Sequence, residues 1–198
     1  MTKSTTYAWA ITLLAAGAAW YIYRRRQSNP PSLLTNENNM LTTDPKLPRG
    51  YRNNNPLNID YNVRNQWKGQ LGIEPESPKY KQRFAFFSSM PYGYRAALVL
   101  MRNYIKNYGL NTIFEIINRW APSEDNNYPV SYAKNVCRII NEKWGASVTP
   151  DTVVARNDKD TLTKMAYAMS IIENGNTEYT RMLGLPNMET INEGWRLI

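Results

Sequence analysis

The sequence contains no histidine and a single cysteine, Cys137. Without histidine there is no Ser-His-Asp or Cys-His nucleophile system, and without a second cysteine there is no internal disulfide; the usual zinc ligand sets are missing too. Chemistry in this chain is left to carboxylates, hydroxyls, amides and amines, and no metal or organic cofactor is implied. Cys137 lies in "AKNVCRIINEKW", beside a helical apolar stripe, and reads as core filling. Residues 1–48 hold five basic and two acidic residues and residues 49–198 hold nineteen and fourteen, giving net charges of +3 and +5. The chain is basic without a long basic run. That distribution favours loose attraction to a polyanion such as nucleic acid, anionic lipid or an anionic cell-wall polymer. Specific reading of nucleic acid clusters Arg and Lys on one element, and the one cluster here, Arg24-Arg25-Arg26, has another explanation.

Long apolar runs are absent except for one, "YAWAITLLAAGAAWYIYRRR". Tyr7 to Tyr23 is 17 residues with Thr12 as its one clearly polar interior member, and as a helix it spans roughly 25 Å at about 1.5 Å per residue. Aromatics sit at both ends (Tyr7, Trp9, Trp20, Tyr21, Tyr23), as in interfacial belts, and three arginines follow as a stop. Residues 1–26 therefore read as a single-pass membrane anchor, touching the bilayer through residues 7–23. A cleaved signal peptide is the rival, with small residues from Ala15 to Ala19, although the aromatic and arginine flank lies on the wrong side of such a site. A buried core helix is the third reading. Residues 27–48, "QSNPPSLLTNENNMLTTDPKLP", carry four prolines and no sustained period and read as a flexible linker. Residues 49–198 remain, about the usual size of one domain.

The domain opens with turn chemistry: "RGYRNNNPLNID" sets three asparagines before Pro56. Short extended pieces follow around "LNIDY" and "QRFAFF", with Trp67-Lys68-Gly69 between them. The rest is helical. "YGYRAALVLMRNYIKNYG" places Tyr94, Ala97, Leu98, Met101, Ile105 and Tyr108 on one face and stops at Gly109. "TIFEIINRW" opens with Thr112 and Glu115 in capping-box spacing, buries Ile113, Ile116, Ile117 and Trp120, and ends before Pro122. "PVSYAKNVCRIINEKWG" lines up Tyr132, Val136, Ile139 and Ile140 and stops at Gly145, and "TLTKMAYAMSIIENG" is the fourth helix. The fold class is α+β, mostly α-helical, with a small β-hairpin.

One residue breaks the pattern of the fourth helix. Leu162, Met165, Ala166, Met169 and Ile172 mark an apolar stripe, and Glu173 lies seven residues past Ala166 and four past Met169, so it projects from the apolar face. Burial and the negative end of the helix dipole both push its pKa upward. A carboxyl that stays protonated near neutral pH is what glycosidic bond cleavage requires at the leaving oxygen. The plainer reading is that Glu173 sits at the rim of the stripe, reaches water, and merely precedes the Asn-Gly stop.

The segment "NNNPLNIDYNVRNQWKGQLG…RFAFFSSMPYGYRAALVLMRNYI" resembles the N-N-x-x-x-I…W-x-G…R-F-x-x-[FY]-x-S-x-x-x-[GS]-x-R pattern of lysozyme-like cell-wall glucosaminidases. With "TIFEIINRWAP…Y" after it, the chain is more similar still to phage virion-associated peptidoglycan-lytic enzymes of the lysozyme-like superfamily, lytic transglycosylases or muramidases. The resemblance covers roughly Arg49 to Tyr132 plus "IIENG". In the glucosaminidases the acid lies on an E-S-G helix just before the asparagine loop, whereas here that stretch is the linker, whose one glutamate is Glu37. "SIIENG" resembles the missing helix, and a circular permutation of the lysozyme-like fold would bring it beside Asn53 to Asn58. The resemblance makes Glu173 the catalytic acid.

The resemblance also implies a cleft floor in which Asn54, Asn55 and Asn58 bond N-acetyl groups and sugar hydroxyls, against local turn capping as the alternative. Tyr132 would orient substrate from its helix face, or simply pack. Trp67 and Trp120 would stack on sugars, or fill the core. Asp60 is a candidate second carboxylate, and Glu124, in "WAPSEDNNYPVSY", is the rival acid, although an acidic turn before a helix usually caps it. The expectation is a membrane-anchored phage enzyme that cleaves the glycan strand of peptidoglycan, in the virion or at the host inner membrane, with other virion proteins as further partners. The alternative is a structural membrane protein of the virion that keeps a lysozyme-like fold and binds glycan without cutting it.

Overall fold

The computed structural model describes residues 44–125 and 127–198. The apolar span at residues 7–23 and most of the linker lie outside the described residues, and among the described residues no helix is long and apolar enough to cross a membrane. The elements in chain order are α1 (Arg49–Arg52), β1 (Gln70–Ile73), β2 (Ala85–Phe87), α2 (Met90–Tyr108), α3 (Ile113–Trp120), a 3-10 turn (Ser123–Asp125), α4 (Pro129–Trp144), α5 (Lys159–Asn174), α6 (Glu178–Met182) and α7 (Met188–Arg196). The domain is mostly helical with one small antiparallel sheet.

Helix boundaries follow their caps. Helix α2 starts after an extended Ser89 with Pro91 in its first turn, and ends where Gly109 turns left-handed at φ 68°. The Thr112 hydroxyl accepts from Glu115 N while the Glu115 carboxylate accepts from Thr112 N, a complete capping box for α3. Helix α4 stops at left-handed Gly145, and Asp158 caps α5 by accepting from Thr161 N at 3.0 Å. Tyr94, Leu98 and Met101 of α2 meet Ile113, Ile116 and Ile117 of α3, Ile140 of α4 and Leu162 and Met165 of α5 in the core. Each such side chain contributes about 1.5–3 kcal/mol of transfer free energy before chain entropy opposes it. Cys137 is core, with its thiol pushed up to about 11 by burial.

Three expectations need correcting, and the helical remainder of the chain gains two further members. The strand paired with β2 is β1, in register Gln70 to Phe87 and Ile73 to Ala85 with a bulge between Gln70 and Gly72; "LNIDY" runs along the other side of β2 through the single bridge Asp60 to Phe84. Tyr108 is 60% exposed because the end of α2 outruns the core; it lies against Tyr104 and under Arg119 instead. Residues 44–48, assigned to the linker, are folded onto the domain: Leu47 is buried and the Tyr179 hydroxyl donates to Asp44. Two helices lie beyond Gly175, and α7 packs closely on α2 because Gly194 has no Cβ to strike Pro91 O, which would lie 2.9 Å away.

A second glycine fixes the asparagine loop against α2. A Cβ on Gly93 would sit 2.0 Å from the carbonyl oxygen of Asn54, a backbone atom that cannot rotate away. Gly93→Ala is expected to destabilise the fold by about 1–3 kcal/mol, as overpacking does, and thermal melting measures it. An unchanged melting temperature would show that the loop can lift off α2 without cost.

Candidate functional site

The loop from Asn53 to Asn58 is held by its own side chains. Asn55, fully buried, donates to Ile59 O (2.9 Å) and Ala85 O (2.8 Å) and accepts from Ile59 N (2.9 Å). Asn54 donates to Phe87 O at 3.0 Å. Both residues thus brace the loop on β2, and Asn55 has no polar atom left for a ligand; its expected substrate contact gives way to a structural role. Asn54 and Asn58 adopt φ of 50° and 51°, a left-handed backbone that asparagine tolerates better than other side chains.

Beneath the loop lies a residue that the sequence did not single out. Glu74 is 1% exposed and accepts from Arg49 Nε (2.7 Å), Arg49 Nη2 (2.5 Å), Asn53 Nδ2 (2.8 Å), Arg83 N (2.8 Å) and Phe84 N (2.7 Å). Burial alone would raise its pKa, but these donors hold it down to about 2. Such a carboxylate cannot deliver a proton near neutral pH. It ties α1, the asparagine loop and β2 together. No spacing announces it, because its donors come from two stretches, 49–53 and 83–84, that are remote from it or from each other in sequence.

Asn58 is the loop residue that reaches the acid. Its Nδ2 donates to Glu173 Oε2 at 3.1 Å across 115 residues of chain, and from the other side the Tyr132 hydroxyl donates to Glu173 Oε1 at 2.7 Å. The C-terminal end of α5 is fastened to the same loop by Asn174, whose Nδ2 donates to Pro56 O (2.7 Å) and Ser170 O (3.0 Å). The segment "SIIENG" therefore packs beside the asparagine loop. Burial raises the Glu173 pKa, and it is opposed by the Tyr132 and Asn58 hydrogen bonds and by the charge of Arg83. Tyr132 thus contacts the acid directly, and its phenol is itself pushed well up by burial and by Glu173.

Asn58 also lines a hollow of about 290 Å³ with Asp60, Trp67, Arg83, Tyr104 and Trp120 among its walls. Both tryptophans that were candidates for sugar stacking face this hollow, and the indole N–H of Trp67 is buried without a hydrogen-bond partner among the described residues. Asp60 is exposed and paired two-pronged with Arg83, at 2.7 and 3.1 Å. Its carboxylate is already occupied, which weighs against use as a nucleophile. Glu124 is exposed on the 3-10 turn and lines a different hollow with Tyr108, Phe114 and Arg119. It is not part of the Asn58, Tyr132 and Glu173 cluster. Among the described residues no three acidic or cysteine side chains are gathered so as to hold a metal ion.

The balance at Glu173 has a measurable sign. Tyr132→Phe removes a donor to the carboxylate without changing the ring, so the Glu173 midpoint is expected to rise in a carbon NMR titration of the glutamate carboxyls. A midpoint that falls would mean that the hydroxyl does not stabilise the charged form.

No known protein-family profile matches the chain. Over 139 residues it is 34% identical to Protein P5 of Pseudoalteromonas phage PM2, an alignment that takes in 67% of this chain and 74% of that protein. At that identity and coverage, the chain belongs to the family of the phage PM2 protein P5.

Proposed function

We propose that this protein is a phage peptidoglycan-cleaving enzyme of the lysozyme-like type, in which Glu173 acts as general acid on the glycan strand. The observation that carries this reading is the convergence of Asn58, Tyr132 and Glu173 from remote parts of the chain on one part-buried carboxyl of raised pKa. An acid of that kind holds its proton at a pH where an ordinary carboxyl has lost it, and can hand it to a leaving glycosidic oxygen. The adjoining hollow, with two indoles, asparagine amides and the Arg83–Asp60 pair, offers the mixture of flat apolar faces and fixed polar groups suited to binding a sugar. Residues 7–23 would hold the enzyme at a membrane, and the net charge of +5 on residues 49–198 would draw it to the anionic wall. Zymography of the full chain against purified cell walls tests the activity, and mass analysis of the released fragments identifies the bond cut. A chain that binds walls but leaves them intact would replace this reading with a glycan-binding role.

A further inference from the structure

Two buried oxygens beside the acid have no hydrogen-bond partner among the described residues: Oδ1 of Asn58 and Oδ1 of Asn174. Both lie against the same point, the place where a Cβ on Gly50 would sit, at 3.0 and 2.4 Å. Two unsatisfied acceptors in a buried place are costly. Asn174 cannot relieve the conflict by rotating, because its amide nitrogen is committed to Pro56 O and Ser170 O. Asn58 can. A side-chain amide is nearly symmetric in shape, and a half-turn about χ2 exchanges its donor and its acceptor in place. After that half-turn Nδ2 of Asn58 donates to Asn174 Oδ1, and Oδ1 of Asn58 faces Glu173 Oε2. An oxygen in that position can only accept, so Oε2 must carry a proton.

We infer that Asn58 is a positioning residue whose amide turns with the protonation of Glu173: toward Asn174 when the carboxyl holds its proton, toward Glu173 when the proton has gone. In the protonated state the chain reads Glu173 Oε2–H to Asn58 Oδ1, then Asn58 Nδ2–H to Asn174 Oδ1, with the Tyr132 hydroxyl still donating to Oε1. Every polar group named is satisfied. In the ionised state Asn58 donates to Oε2, as in the 3.1 Å contact, and the two amide oxygens are left without a donor. Asn174 therefore favours the acid form from a distance, through Asn58. The other groups that act on Glu173 are Tyr132 from α4 and Arg83 from the segment leading into β2, and both favour the charged form. The consequence for catalysis rests on the function proposed above; the coupling itself concerns a proton and an amide and is measured without any substrate.

The test is NMR of the full chain labelled at its asparagine side-chain amides, with the Asn58 NH2 pair assigned through bonds from its own Cβ. Below the Glu173 midpoint the Asn58 NH2 protons are expected to show cross-relaxation to the Gly50 Hα protons; above the midpoint that contact disappears and the pair shifts with the carboxylate. A contact to Gly50 that is absent at every pH, or present at every pH, overturns the inference. Asn174→Ala supplies a second readout if it folds: deleting the distal acceptor lowers the Glu173 midpoint and abolishes the pH-dependent contact. A midpoint that rises or stays in place in that variant would count equally against the inference.

Discussion

On the proposed mechanism, Glu173→Gln is expected to lose wall lysis by about 10²–10⁴-fold, the usual worth of a positioned proton donor, while its melting temperature stays close to that of the parent. The amide matches the shape of the protonated carboxyl: its oxygen can still accept from Tyr132, and its nitrogen can donate to Asn58 Oδ1 once that amide makes the half-turn inferred above. What it lacks is a transferable proton. Turbidity clearance of purified walls, read beside a melting curve, separates loss of chemistry from loss of fold. Clearance at the parental rate would place the acid elsewhere. The pH dependence has a definite sign. Burial raises the Glu173 pKa, so the competent protonated form persists above the ordinary carboxyl range and is lost as pH climbs through the folded midpoint.

Glu74→Gln is expected to be the most destabilising of these substitutions, by about 3–5 kcal/mol, because it leaves the Arg49 guanidinium without its counter-charge and turns an acceptor with five donors into a group that itself donates. The pH arm runs opposite to that of Glu173. The Glu74 pKa is depressed from 4.5 to about 2 on folding, so its stabilisation is complete above the unfolded value and is lost as pH falls from about 4.5 toward 2. That difference amounts to on the order of 3 kcal/mol. Equilibrium denaturation across that range measures it, and in Glu74→Gln the slope should flatten. A parent protein equally stable at both ends would mean that the carboxylate contributes no net stability.

The parts of the fold that were legible in the sequence share one property: each is announced by local chemistry. Gly109 and Gly145 end their helices in the left-handed conformation, and the Thr112–Glu115 box opens α3, as their spacing requires. What was not legible depends on partners far away in the chain. Strand β1 is four residues long and alternates between half-buried and exposed positions around a bulge, so it carries no strong period. Helix α7 packs on α2 through Gly194, and a hydrophobic pattern cannot register a contact made by the absence of a side chain. The asparagine loop shows the same limit. Asn54, Asn55 and Asn58 have the same side chain within five positions, and yet Asn54 and Asn55 brace β2 while Asn58 bonds the acid. Only the backbone path decides which amide faces which way. Glu173 was legible because a charge on an apolar stripe is a local anomaly. Glu74, held by donors from Arg49 and Asn53 and from Arg83 and Phe84, was not.

The bond from Asn58 to Glu173 closes across 115 residues, and that span sets the order in which a ribosome can supply its parts. Of the three groups the loop is synthesised first, Tyr132 follows, and the carboxyl comes last. Contacts of such long range also form late in folding, because their loop-closure entropy must be met before they reward the chain. Any nascent or truncated product that stops before Glu173 therefore carries the asparagines without that carboxyl. For a protein whose proposed work would breach the wall of the cell that makes it, the chain order would act as a delay: on that reading no product that stops before Glu173 on α5 carries the proton donor.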